Sequence, residues 1–157
     1  MEEFEGEVHP LVKSSRRCVM ISSASEFLSL RYTSDPRYYE RAAHDTADLR
    51  TWLDINGRYP EPRKRLANNK NVPLEVLSVL AADPDPGVRH MVATKRKLSA
   101  EIIERLAMDK DDSVRLQIAR HSNASTSVLA TLASGDWEMV ADAARERLAS
   151  FEDGNQS

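Results

Sequence analysis

Two stretches of this chain, LAADPDPGVRHMVA (residues 80–93) and LAMDKDDSVRLQIA (residues 106–119), carry one pattern 26 residues apart. A fixed period in this range is the mark of stacked repeats and constrains the fold before any other feature does. The period extends over residues 66–148. Leu80, Leu106 and Leu132 share one column, Ala81, Ala107 and Ala133 the next, and Val88, Val114 and Val140 a third. Val92-Ala93 matches Ile118-Ala119 one period later and Leu66-Ala67 one period earlier. Further back, SDPRYYERAA (residues 34–43) aligns with the repeats through Asp35-Pro36, with Arg41 six residues after the aspartate as Arg89 follows Asp83.

Within each repeat the apolar residues return at helical spacing. Val76, Leu77, Leu80 and Ala81 form one such set, as do Ile102, Ile103, Leu106 and Ala107, and Val128, Leu129, Leu132 and Ala133. A second, shorter helix carries Val88, Met91 and Val92, then Val114 and Ile118, then Val140, Ala143, Ala144 and Leu148. DPDPG and DKDDS separate the two helices, with Asp85 and Asp111 as N-caps and Pro86 suited to a first turn. Pro73, Ser99 and Ser125 stand where the next first helix begins. Each unit is a helical hairpin with one apolar face that it cannot bury alone, so it must stack on its neighbours. Three clear units (73–95, 99–121, 125–148) follow two degenerate ones (24–46, 47–69), in which Trp52, Leu53 and Ile55 replace the regular columns. The expected fold is all-α, a right-handed α-solenoid of about five helical hairpins.

The run LAADPDPGVRHMVATKRKLSAEIIERLAMDKDDSVRLQIARHSNAS resembles the leucine-rich-repeat-variant proteins and the wider HEAT-like α-solenoids. Their units read Leu-Ala, Asp-Pro-Asp, Val-Arg and Val-Ala in that order. The resemblance spans about two thirds of the chain and implies the solenoid fold. It implies no single function, because such scaffolds host unrelated roles. The clustered cysteines of an iron–sulfur domain, present in one member of the variant family, have no counterpart here, where Cys18 is the single cysteine.

A chain of 157 residues with 41% hydrophobic content suits one such domain. The expected organisation is an N-terminal tail or cap over residues 1–22, a solenoid over 23–149 and a disordered tail over 150–157. No apolar run reaches membrane-spanning length, and MEEFEGEV is acidic where a secretory signal is basic, so a cytoplasmic location is expected.

Charge is uneven along the chain. Residues 50–100 hold ten bases against five acids, whereas both flanking segments are net acidic. The dense parts of this basic island are Arg63-Lys64-Arg65 and Lys95-Arg96-Lys97. They read either as a solvated surface or as a patch for an acidic protein surface or a phosphate backbone. Arg89 and Arg115 follow Asp85 and Asp111 by four residues and Asp83 and Asp109 by six, a spacing that suits ion pairs and hydrogen bonds to the turn within each repeat. In the last unit Trp137 takes the place of the capping aspartates and Ala141 that of the arginine, as in a terminal, capping repeat.

Catalytic constellations are sparse. His44, Asp45 and Asp48 cluster in AAHDTAD, yet two ligands at i and i+4 without a third fit a polar helix end as well as a metal site. Cys18 lies beside Arg16 and Arg17 without a histidine in a nucleophile pattern. No phosphate loop, nucleophile elbow or paired zinc motif occurs. The chain is expected to be non-enzymatic and to use no cofactor or metal. Its expected role is to bind another protein, as an inhibitor or an immunity or antitoxin-type protein does, with an acidic patch on the partner. The candidate contact residues are Lys64, Arg65, His90, Lys95, Arg96, Lys97 and Leu116, with Trp137 or the pair Tyr38 and Tyr39 as an apolar anchor. The alternative is nucleic-acid binding, on the look of HEAT-like alkylpurine DNA glycosylases. Acidic segments on both sides of the island oppose a duplex laid along the whole chain.

Overall fold

The computed structural model describes residues 20–32, 34–60 and 63–154. These form ten helices and no strand, apart from one isolated backbone bridge between Ile21 and Ala47. In chain order they are α1 (Ala24–Tyr32), α2 (Pro36–His44), α3 (Leu49–Arg58), α4 (Arg63–Asn68), α5 (Leu74–Leu80), α6 (Pro86–Ala93), α7 (Ala100–Ala107), α8 (Asp112–Ala119), α9 (Thr126–Ala133) and α10 (Glu138–Gly154).

Local chemistry sets the helix starts. Asp85 and Asp111 cap α6 and α8 by accepting from the Gly87 and Ser113 amides, and Ser99 and Ser125 cap α7 and α9. Pro73 precedes α5 without a side-chain cap bond. At the start of α2, Asp35 accepts from the Arg37 amide and Pro36 opens the helix. Asp35-Pro36 is therefore the counterpart of Asp85-Pro86, which corrects the alignment of Asp35 with Asp83. Asp83 has a different task, because its Oδ1 accepts from the Asp85 amide within the turn. Arg41 accordingly does not match Arg89, and pairs instead with Asp45 and Glu26.

Each helix packs on its partner within the pair, and second helices pack on second helices: α2 on α4, α4 on α6, α6 on α8 and α8 on α10. First helices pack likewise, α1 on α3, α3 on α5 and α7 on α9. The repeated apolar columns lie inside. Leu80 and Leu106 are fully buried and Leu132 nearly so, as are Val88, Val114 and Val140. In α3 the inward face is Thr51, Trp52 and Ile55, while Leu53 turns outward. Trp52 meets Phe27 edge to face at 6.1 Å.

The described residues reach into both expected end segments. Ile21, assigned to the tail or cap, is fully buried, and its amide donates to Thr46 O at 2.7 Å. At the other end α10 continues to Gly154, past the expected end of the domain at residue 149, with Arg147 over the Phe151 ring. Residues 1–19 and 155–157 lie outside the described residues. Leu106→Ala empties the most regular apolar column and is expected to cost about 2–5 kcal/mol. The denaturant midpoint measures this, and an unchanged midpoint contradicts the packing of α7.

Candidate functional site

The turns between helices lie along two edges, one at the beginning of the second helices and one at their end. The first edge is built round arginine. Arg89 donates from Nε and Nη2 to both oxygens of Asp109 at 2.7 and 2.8 Å, and from Nη1 to the Asp83 and Pro84 carbonyls. One repeat earlier, Arg63 pairs with Asp83 at 3.2 Å and donates to Asn56 O. The arginine thus holds its own turn through carbonyls, as the spacing suggested. Its carboxylate partner, however, lies 20 residues ahead in the next repeat, which corrects the expectation of pairing with Asp83 or Asp85 in the same turn. The Asp109 hydrogen bonds hold the Arg89 guanidinium above its ordinary pKa, against the opposing effect of burial. Twenty residues beyond Arg115 stands Gly135, so the ladder ends. Arg115 retains its bond to Asp109 O and turns its other branch to Asp112.

The second edge has a ladder of its own. The Asn69 amide donates to Ala42 O and Asp45 O, Lys95 Nζ donates to Asn69 O at 2.7 Å, and His121 Nε2 lies 2.6 Å from Lys95 O. His121 Nδ1 accepts from the Asn123 amide, which assigns the proton to Nε2 and makes it the donor to Lys95 O. Asn71 and Asn123 add bonds to His44 O and Arg96 O in the preceding turns. Residues 69, 95 and 121 thus form a period-26 polar column in which each side chain ties its turn to the carbonyl of the one before. Lys95 is half-buried, and desolvation, with a smaller push from the nearby Lys70 charge, lowers its pKa from 10.5 to about 8. The bond to Asn69 O works in the other direction, but one carbonyl replaces only part of the lost hydration.

These edges divide the expected contact residues. Lys64 and Arg65 begin α4, whereas Lys95, Arg96 and Lys97 follow the end of α6 and dock beside the end of α4 through Lys95. Lys64 and Arg65 thus lie toward the first edge and Lys95, Arg96 and Lys97 on the second, about 6–8 Å of helix rise apart. Arg63 is consumed by Asp83. Lys64 Nζ reaches the start of α6, 3.4 Å from where a Cβ on Gly87 would stand, and Asp85 Oδ1 is 3.1 Å from that point. His90 is half-buried, and Leu116, Tyr38 and Trp137 are partly buried, the last three packed against the core. Trp137 occupies the turn before α10, where its carbonyl accepts from the Val140 and Ala141 amides. The Tyr39 side chain and Cys18 lie outside the described residues. His44, Asp45 and Asp48 have separate tasks: His44 Nδ1 bonds Glu40 O, Asp45 pairs with Arg41, and Asp48 caps α3. Among the described residues no three potential ligands converge on a metal position.

Sequence reasoning missed Lys70 and Arg120. Lys70 lies in the turn after α4 and Arg120 caps the end of α8, so both join Arg96 and Lys97 on the second edge. All four are exposed, and none forms an ion pair among the described residues. The signal for Lys70 was its position in the period, one repeat before Arg96; Arg120 stands outside that column, whose next member is Ser122. Compared with known proteins, the chain significantly matches no family model, no curated protein and no solved structure.

Two measurements test this geometry. Asp109→Asn leaves the nearly inaccessible Arg89 without its carboxylate and is expected to destabilise by about 3–5 kcal/mol. The exposed Asp142–Arg145 pair is the control, and Asp142→Asn should cost no more than about 1 kcal/mol. For Lys95 the unfolded chain binds more protons than the folded one between pH 8 and 10.5, so stability rises with pH through that window. Denaturant unfolding of the wild type should therefore gain on Lys95→Met as pH rises through it. Parallel pH profiles contradict the burial of the ammonium.

Proposed function

We propose that the chain is a right-handed solenoid of five helical hairpins that works as a non-catalytic protein-binding module of the cytoplasm. It acts as an inhibitor or an immunity or antitoxin-type protein does, by occupying an acidic surface of its partner. The order of helix packing and the two polar ladders support the solenoid reading. The observation that carries the functional reading is the row of cations Lys70, Arg96, Lys97 and Arg120, without ion pairs among the described residues, on turns pinned to one another by hydrogen bonds. Charges held on rigid turns dock a complementary surface with little ordering cost and speed its encounter.

The nucleic-acid reading is the weaker of the two. Glu75 and Glu101, exposed in the first turns of α5 and α7, border the cations, so the positive strip is narrow. A duplex, with phosphates on both sides of its grooves, would bring charge against those carboxylates. No helix among the described residues is long and apolar enough to cross a membrane.

The test is affinity capture from the native host with and without nuclease, comparing wild type with Arg96→Glu/Lys97→Glu. The expected result is a protein partner retained by the wild type after nuclease treatment and lost by the double reversal, with thermal unfolding of the two alike. Capture that disappears with nuclease favours nucleic acid, and capture indifferent to the reversal moves the site to another surface.

A further inference from the structure

Three turns on the second edge, at residues 69–71, 95–97 and 121–123, stand one repeat apart, and the outer two are closed by their own side chains. The Asn71 amide donates to Asn69 Oδ1 at 2.7 Å, and the Asn123 amide donates to His121 Nδ1 at 3.1 Å. The side chains of Asn71 and Asn123 in turn donate to carbonyls 27 residues earlier, at His44 and Arg96. The middle turn keeps its ties to both neighbours, since Lys95 Nζ reaches Asn69 O and His121 Nε2 reaches Lys95 O. It lacks the closing bonds. Lys95 stands in the column of Asn69 and His121, but a protonated ammonium has three donors and no acceptor. Lys97 stands in the column of Asn71 and Asn123 and has no carboxamide. Among the described residues the Lys97 amide meets no acceptor, and the Lys70 carbonyl, counterpart of His44 O and Arg96 O, meets no side-chain donor.

We propose that the Lys97 amide is the contact point for a carboxylate of the protein partner, an Asp or Glu side chain whose oxygen takes the place that Asn69 Oδ1 and His121 Nδ1 take in the sister turns. The inference rests on reading this edge as a docking surface for an acidic protein, and names the group that docks and where.

Chemistry selects that group. The carboxamide of Asn69 has the shape of an Asp carboxylate, so a turn that seats one oxygen beside its N–H seats the other. Charge favours the ionised form, because Arg96 and Lys97 are exposed on the same turn and Lys70 on the turn before. An ionised acceptor makes shorter and stronger hydrogen bonds to an N–H than a neutral one does. None of these three cations has an ion pair among the described residues that an incoming carboxylate must break. Glu101, four residues beyond Lys97, pairs with neither Arg96 nor Lys97. Of the three turns the middle one alone leaves its amide uncovered, so the carboxylate is received at one position and not along a periodic row. That fixes where along the edge the partner sits and discriminates against surfaces whose acidic group falls elsewhere.

The test is an NMR titration of the full chain at neutral pH with sodium acetate, compared with sodium chloride at matched ionic strength. The Lys97 amide proton is expected to move downfield with acetate and not with chloride, while the covered Asn71 and Asn123 amides hold still. Lys95→His returns a ring nitrogen to the column, as at His121, and should abolish the Lys97 response. Lys95→Met removes the same ammonium without supplying an acceptor and should retain it. Equal responses at residues 71, 97 and 123, a Lys97 response that survives Lys95→His, or its loss in both variants overturns the proposal. Inorganic phosphate is the remaining arm, and a Lys97 response larger than that to acetate assigns the turn to a phosphate group and overturns the carboxylate. Acetate stands in for the partner's side chain, so failure here leaves the docking reading intact. Affinity capture indifferent to Arg96→Glu/Lys97→Glu removes that reading whatever the amide does with acetate.

Discussion

Arg89 is a permanent cation with 6% of its side chain exposed, and the turns on both sides of it are arranged to make that tolerable. Two carbonyls of its own turn and both oxygens of Asp109 take up the guanidinium. A well-packed apolar side chain would give comparable stability, so the contribution of the ion pair is directional. An arginine fork accepts a carboxylate in one plane only, and Asp109 must stand at one height relative to Arg89. That requirement aligns α6 with α8 more sharply than contacts among valines and isoleucines do, because apolar packing tolerates sliding that a bidentate pair does not. Arg63 and Asp83 impose the same condition between α4 and α6 with a single, longer bond.

On the opposite edge the same alignment is achieved with different chemistry. Asn69, Lys95 and His121 share no charge or shape, yet each presents an N–H at the same column and directs it to a backbone carbonyl one repeat earlier. A carbonyl is supplied by every residue, so this edge tolerates changes of side chain that the arginine edge does not. It therefore places little constraint on its exposed positions, among them Lys70, Arg96 and Lys97. Register is thus held by a charged pair at one edge and by backbone carbonyls at the other.

The helix pairs were legible because apolar columns repeat in residue type. Leu80, Leu106 and Leu132 announce themselves, and the capping residues Asp85, Ser99, Asp111 and Ser125 mark the helix starts directly. What sequence could not display were contacts whose second member is a backbone atom or a distant turn. The column 69, 95, 121 looks unrelated when read as Asn, Lys and His, since its common acceptor has no letter. Arg89 and Asp83 or Asp85 look like a local pair, since the true partner at Asp109 comes within reach only once the lengths of α7 and its flanking turns are known. The basic island reads as one run in the composition profile, which does not show that Lys64 begins α4 at one edge while Lys97 follows the end of α6 at the other.

The direction of the arginine bonds has a consequence for a chain emerging from the ribosome. Arg63 and Arg89 each look forward to an aspartate 20 residues later, whereas Asn69, Lys95 and His121 each look back to a carbonyl already made. At synthesis rates of ~5–20 residues per second, Arg89 waits about 1–4 s for Asp109. During that interval a newly closed pair of helices can fasten itself backward but cannot neutralise its own arginine. The two repeats that carry Arg63 and Arg89 are therefore completed by their successors, and each of these arginines lacks its counter-ion until the next repeat is made. Gly135 ends this ladder: Arg115, with no aspartate 20 residues ahead, pairs with Asp112, which is already made.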